Sequence, residues 1–270
     1  MRTVWVVSAA LILAAAWLAW VCQYLLFQLF GHQWESATLG QWGDTFGALN
    51  ALFSALAFVA VLFTLKQQRD DLARQQKQIL AAERDQHLQR FERTFYELLR
   101  LLREARDDVQ FRYSSEYLNS ISSSESKRVR VAGTEAFKRA QFELLHWIEV
   151  AETSSAKLSS DEFGQLYIKR VHSRYESTLG PYFRLLYTLL MRIHEDKVLK
   201  DIEKHRFGNL LRSQLTSHEV ALCCYNGLAA VSGSFKGLVT EFRLPKYLPE
   251  EFGRNHLMRL YPESAFSGRD

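Results

Sequence analysis

Two long apolar runs open the chain, and helical patterns of apolar and polar residues follow them. The runs cover residues 4–30 and 45–65, and neither contains a charged residue. Because a helix rises about 1.5 Å per residue, each run can cross the roughly 30 Å core of a bilayer. The first run is also longer than the roughly 7 to 15 apolar residues of a signal peptide. We therefore predict a transmembrane hairpin over residues 1–65, with spans at about 4–30 and 44–65.

Positive charges give the expected orientation of this hairpin. Arg2 precedes the first span, residues 31–42 between the spans contain no Lys or Arg, and Lys66 and Arg69 follow the second span at once. Basic residues stay on the cytoplasmic side of a membrane. We therefore expect both termini in the cytoplasm.

The segment after the spans changes from a sparse to a dense apolar pattern. Leu65, Leu72 and Ile79 supply one apolar position per heptad, which predicts a solvated stalk helix over residues 66–90. Apolar residues then recur at spacings of three and four, as on a helix that faces a core: Leu88, Phe91, Phe95, Leu98, Leu99 and Leu102. This pattern predicts a helical cytoplasmic domain over residues 91–270.

Further helical signals divide this domain. A second apolar stripe consists of Phe137, Ala140, Leu144, Trp147 and Ile148. Thr216 and Glu219 form a capping box, Gly233 is suited to end that helix, and Pro181 after Gly180 is expected to start another helix. The serine-rich stretch at about 113–133 is predicted to be a polar loop. Since no run alternates like a strand, the predicted fold class is all-α: a two-helix transmembrane hairpin followed by a helical cytoplasmic domain.

Composition narrows the chemistry only slightly. Lys and Arg number 34 against 30 Asp and Glu, a mild basic excess that suits anionic lipid or nucleic acid and selects neither. The cysteines, Cys22, Cys223 and Cys224, show no spacing typical of zinc ligands, and we expect them to be small buried side chains. We predict no catalytic residue, metal ion or cofactor.

One residue pair keeps an enzymatic alternative open. Arg212 and His218 fit the Arg-x(4–6)-His pattern of helical ribonucleases of the HEPN type, and Arg139 and His146 fit it too. With 8 histidines in 270 residues, such pairs are expected by chance. The alternative is a membrane-tethered ribonuclease toxin.

Two further groups have a functional and a purely structural interpretation. Lys127, Arg128 and Arg130 are candidates to contact a partner or the phosphates of a nucleic acid, although a solvated loop explains them as well. Tyr225 and Asn226 lie late in an apolar helix, within "CCYNG". There we favour closure of the helix end against a neighbouring element over a ligand site.

Small and polar residues form one stripe of the second span: Gly43, Gly47, Asn50 and Ser54, continued by Ala57 and Val61. Small residues let membrane helices approach closely, and amides and hydroxyls hydrogen-bond across the contact. We expect Asp44 to cap the start of the span, whereas Asn50 lies too deep for capping. The stripe is our candidate for helix packing or gating, with a static anchor as the alternative.

Several blocks together resemble a known family. They are "GQWGDTFGALNALFSALAFVAVLFTLKQQRDDL", "RFERTFYELL", "GPYFRLLYTLL" and "LLRSQLTSHEVALCCYNGLA". In this order they resemble the AbiC-like family of phage abortive-infection proteins, which includes the two-span membrane effectors of retron defence systems.

The resemblance implies a toxin of the bacterial inner membrane that kills the infected cell by membrane disruption when released. It also implies an inhibitory partner, such as a retron reverse transcriptase with its RNA-linked DNA. The bilayer and other copies of the chain, through the transmembrane helices, are the further expected partners. A non-toxic membrane receptor or scaffold is the remaining alternative.

Overall fold

The computed structural model describes residues 36–121, 129–154 and 158–267, with the backbone alone at 36–46, 48, 49 and 154. It also describes five helical positions of the first predicted span: 12, 15, 16, 19 and 22. The rest of that span lies outside the described residues, so the two-span hairpin stays a prediction.

Helix α1 runs from Ser36 to Asp108 and contains the second predicted span. Between Asn50 and Asp108, an 18-residue window has a mean hydropathy of 1.5 and none of it is buried. Among the described residues, α1 is the one helix that is long and apolar enough to cross a membrane.

The predicted role of Asp44 as a helix cap is wrong. Because α1 begins at Ser36, Asp44 lies two turns inside the helix, where the backbone N–H groups already have helical partners. The connector contains no proline that would have delayed the start of the helix.

The chain divides into two compact units, residues 1–78 and 79–270. In the first unit, every side chain from residue 50 to residue 78 is exposed. In the second unit, buried residues begin at Phe91 and continue to Phe266.

The second unit begins with the end of α1 and a small strand pair. Strands β1, Gln110–Phe111, and β2, Val131–Ala132, pair antiparallel, with Phe111 opposite Val131. Helix α2, Ser115–Ser120, lies between them in sequence. The prediction of one loop over 113–133 is therefore wrong in part, because Tyr117 and Leu118 are buried and the Ser114 side chain accepts a hydrogen bond from Tyr117 N.

Helices α3, Thr134–Ser154, and α4, Ser160–Tyr167, come next. A π-helical segment, Ile168–His172, then leads into α5, Ser173–Glu195. The predicted helix start at Pro181 is wrong, because α5 continues through this proline and its non-helical residue is Tyr175 instead. Burial on both sides of the proline, at Leu179, Tyr182 and Phe183, accounts for the continuity.

Helix α6 spans Asp201–Arg212, α7 Ser217–Leu228, α8 Phe235–Glu241 and α9 Arg254–Leu260. Short 3₁₀ turns occupy Ala230–Ser232, Leu244–Tyr247, Glu250–Phe252 and Glu263–Ala265. Helix α7 is the centre of this unit: it is buried from Glu219 to Leu228 and packs against α3, α4 and α8.

Both ends of α7 follow from local chemistry. The predicted capping box is present, since the Thr216 hydroxyl accepts from Glu219 N and the Glu219 carboxylate accepts from Thr216 N. The predicted end at Gly233 is wrong: α7 ends at Leu228, and Gly233 (φ 52°) follows the next 3₁₀ turn. The all-α fold class is confirmed, with a two-residue strand pair as its exception among the described residues.

Candidate functional site

The predicted stripe of the second span lies on α1. Gly47, Asn50 and Ser54 are exposed, and the side chain of Asp44 lies outside the described residues. A side chain placed at Gly47 would meet no described atom within 4 Å. The amide of Asn50 has no hydrogen-bond partner among the described residues, whereas the Thr64 hydroxyl donates to Ala60 O at 2.8 Å. The role of the stripe in helix packing or gating stays a prediction.

The basic loop is described only at its end. Arg130 is exposed, and its Nη1 donates to Gln110 Oε1 at 3.1 Å. Lys127 and Arg128 lie outside the described residues. Their role as a contact for a partner or a nucleic acid stays a prediction.

The candidate nuclease residues have different surroundings. Arg212, at the end of α6, is 9% exposed and lies 5.1 Å from the ring centre of Tyr247. His218 Nδ1 lies 2.6 Å from Gln141 Oε1, and its ring packs edge-on against Phe252. A cleft of about 340 Å³ is lined by Arg212 but not by His218. These contacts do not place the two side chains at a common substrate atom.

The second pair with this spacing is structural in its contacts. Arg139 donates to Val129 O at 2.9 Å and lies 3.4 Å from Glu135. His146 Nε2 lies 2.8 Å from Ser120 Oγ. Arg139 and His146 therefore hold α3 against the segments around it.

Two buried carboxylates organise the second unit. Glu143 is fully buried, binds Arg174 at 2.6 Å and accepts from Ser114 N at 3.0 Å. Glu219, also fully buried, binds Arg106 at 2.6 Å. The capping-box pattern gives Glu219 its backbone role, but no pattern in the sequence indicates its partner in α1.

The "CCYNG" segment lies at the buried end of α7. Cys223, Cys224 and Tyr225 are fully buried, as the structural interpretation expected for Tyr225. The hydrogen bond at this helix end comes from another residue, since Tyr261 donates to Cys224 O at 2.7 Å. Asn226, 5% exposed, instead lines a second cleft.

This second cleft, which we call the Asn226 cleft, has a volume of about 620 Å³. Its walls come from His172, from α5 between Glu176 and Thr188, from Asn226, and from residues 231–235. Its polar residues come from three separate parts of the chain, around α5, at the end of α7 and in the turn that follows it, so the sequence alone does not group them.

A comparison with protein families identifies part of this unit. Residues 174–252 match a family model described as "Putative phage abortive infection protein". The family resemblance is confirmed over this segment. No match is found among curated proteins or among solved structures.

The matched segment runs from α5 to the turn at Glu250–Phe252 and includes the buried helix α7. It contains the resembling blocks at 180–190 and 210–229, whereas α1 and its resembling blocks precede it. The cleft of about 340 Å³ that Arg212 lines, which we call the Arg212 cleft, lies wholly within the matched segment. The Asn226 cleft lies within the same segment except for His172. The family match therefore suggests a role in phage abortive infection.

Proposed function

We propose that the chain is an inner-membrane effector of a retron-type abortive-infection system. A partner complex keeps it inactive, and release lets it kill the infected cell by disrupting the membrane. The exposed apolar segment of α1 carries the proposal, in a chain whose residues 174–252 match an abortive-infection family.

The exposure of this segment requires an apolar environment. Leu52, Phe53, Leu56, Phe58 and Phe63 are 48–69% exposed, and Lys66 follows directly. Removing one such side chain from water stabilises by about 1.5–3 kcal/mol. A bilayer supplies that environment, with the charged residues after 65 placed at its surface.

The stripe supports self-association as the step that damages the membrane. The Asn50 amide is within the apolar segment and lacks a described partner, which is costly in lipid. Pairing with another copy would satisfy it, at a gain of about 1 kcal/mol for each interhelical hydrogen bond. We infer that activation changes this pairing so that ions leak.

The test is induction of the chain in bacteria, with and without its genomic neighbours, while growth, membrane potential and propidium uptake are recorded. Expression of the chain alone should depolarise and permeabilise cells before growth stops. Co-expression of an inhibitory reverse transcriptase complex should prevent this.

Asn50→Leu is the decisive variant and Thr64→Val its matched control. Thr64 lies on the same helix but satisfies its hydroxyl within that helix, so its replacement should leave killing unchanged. Asn50→Leu should abolish prompt permeabilisation at equal expression. If Asn50→Leu kills as fast as the wild type, the pairing mechanism is wrong although the effector function stands.

The same assay separates the other functions. If the chain is a tethered ribonuclease, Arg212→Ala and His218→Ala should each abolish its toxicity. In cells that express the wild type, the membrane potential would then fall only after RNA cleavage. A receptor or scaffold would leave growth normal when overexpressed. Either result contradicts membrane disruption.

A further inference from the structure

The Asn226 cleft has the size and walls of a site for a small organic ligand. Its volume of about 620 Å³ lies within the range of roughly 300–1,000 Å³ of ligand pockets. Phe183 and Phe235, 5% and 2% exposed, are among its lining residues. Aromatic side chains in the lining suit a ligand that carries an aromatic ring.

One polar group in the cleft lacks the partner that a buried group normally has. Nδ1 of His172 is buried and has no hydrogen-bond partner among the described residues. Because unpaired buried polar groups are rare and costly, His172 is a candidate to bind a ligand. The Asn226 side chain, 5% exposed, lines the same cleft and offers an amide to its occupant.

The backbone around the cleft is irregular where His172 enters it. The π-helical segment Ile168–His172 is followed by Tyr175 in a non-helical conformation (φ −138°, ψ 28°). Single π-helical turns occur frequently at functional sites. This irregularity sets the position of His172 in the wall of the cleft.

The charges in the cleft balance. Glu176 and Arg184 form an ion pair at 3.3 Å over Gly180, where a Cβ would lie 2.8 Å from the Glu176 carboxylate. Burial lowers the pKa of His172, so its imidazole is neutral near pH 7. A lining without net charge favours an uncharged ligand.

We propose that the Asn226 cleft binds a nucleoside. The Asn226 amide offers a donor and an acceptor side by side, the pattern that pairs with the edge of a base. The hydroxyls of Tyr187 and Ser234, 3.0 Å apart, supply hydrogen bonds suited to the sugar. The proposal does not depend on membrane disruption, since ligand binding is measured apart from killing.

The test is calorimetric titration of the detergent-solubilised full chain with adenosine, guanosine, cytidine and uridine. At least one should bind saturably, at one site per chain. Asn226→Ala should weaken it about tenfold or more, since the base edge loses its hydrogen bonds. Asn209→Ala, in the Arg212 cleft, should bind as the wild type does.

Tyr187→Phe with Ser234→Ala keeps the test decisive if Asn226→Ala does not fold, because these hydroxyls lie outside the core. The double variant should weaken binding several-fold. Absence of binding by all four nucleosides, or binding unchanged in both variants, overturns the proposal. Binding of single-stranded oligonucleotides without binding of any nucleoside overturns it as well.

Discussion

Arg106 Nε lies 2.6 Å from Glu219 Oε1 and so joins the end of α1 to the start of the buried helix α7. The side chain of Glu219 is 0% exposed and that of Arg106 14%. Tyr182 donates to the same carboxylate oxygen at 2.6 Å, and Thr216 N and Oγ1 donate to the other oxygen. A buried carboxylate with partners on both oxygens is well satisfied.

The electrostatics of this cluster agree with its geometry. Burial acts to lower the pKa of Arg106, but the Glu219 carboxylate outweighs it and the pKa is raised. Burial, and then Glu219, raise the pKa of Tyr182, so its hydroxyl stays a donor. The cluster therefore holds α1, α5 and α7 together through one buried carboxylate.

Replacing this carboxylate should destabilise the protein strongly. Glu219→Gln leaves the guanidinium of Arg106 partly buried without a counter-charge, and breaking such a pair costs about 3–5 kcal/mol. Urea unfolding of the full chain, followed by circular dichroism, should show a lower midpoint. Glu97→Gln is the control, because Glu97 pairs with Arg100 on the surface and its loss should leave the midpoint unchanged. Equal midpoints for Glu219→Gln and the wild type would contradict a stabilising role for the pair.

Gly164 is required by close packing of α4 on α7. A Cβ at this position would lie 2.5 Å from Leu228 O and 2.9 Å from Leu228 C, and these backbone atoms cannot rotate away. Gly164→Ala should therefore reduce the free energy of unfolding by about 1–3 kcal/mol.

Gly237→Ala is its matched control, since a Cβ there meets nothing within 4 Å inside α8. Alanine should leave stability unchanged or raise it by about 0.5–1 kcal/mol. Both variants are compared by thermal unfolding of the full chain. A stable Gly164→Ala would show that α4 can shift away from α7.

The apolar periodicity predicted the helices where burial is one-sided. Phe91, Phe95, Leu99 and Leu102 are at most 3% exposed, and Phe137, Ala140, Leu144 and Ile148 at most 1%. These positions follow from spacing alone, because a helix must turn its apolar stripe to a core. The capping box at Thr216 is equally local, and it is confirmed.

Breaks between helices were harder to predict, because neighbouring elements decide them. Pro181 and Gly233 are breakers in isolation, but burial carries α5 through the first, and α7 ends before the second. The site residues depend on distant pairs in the same way. His172, Tyr187 and Asn226 come together only in the fold, and Arg106 finds Glu219 across 113 positions of sequence.

Acidification should destabilise the second unit through His218. Burial, followed by the Lys138 cation, lowers the pKa of His218 below its ordinary value of 6.5. Below that value the unfolded chain binds a proton that the folded chain resists, so stability falls with pH. The melting temperature should therefore decrease as the pH is lowered from about 7.5 to about 5.5.

His218→Gln should reduce this dependence on pH, because an amide still donates to Gln141 Oε1 without titrating. His205→Gln is the control, since His205 is exposed. The two variants are compared with the wild type by differential scanning fluorimetry across the pH range. Parallel profiles for His218→Gln and the wild type would assign the acid sensitivity to other groups.

The predicted orientation of the spans is testable with reporter fusions. Basic residues after the second span, Lys66, Arg69, Arg74 and Lys77, should hold the C-terminal unit in the cytoplasm. Alkaline phosphatase, active only outside the cytoplasm, should be active when inserted at residue 38 and inactive when fused after residue 270. A fluorescent protein should give the reverse pattern.

Replacing Lys66, Arg69, Arg74 and Lys77 by Gln should weaken this asymmetry between the two insertion sites. Replacing Arg90 and Arg93, which lie farther from the span, should preserve it. Phosphatase activity at the C-terminus of the unaltered chain would contradict the predicted orientation.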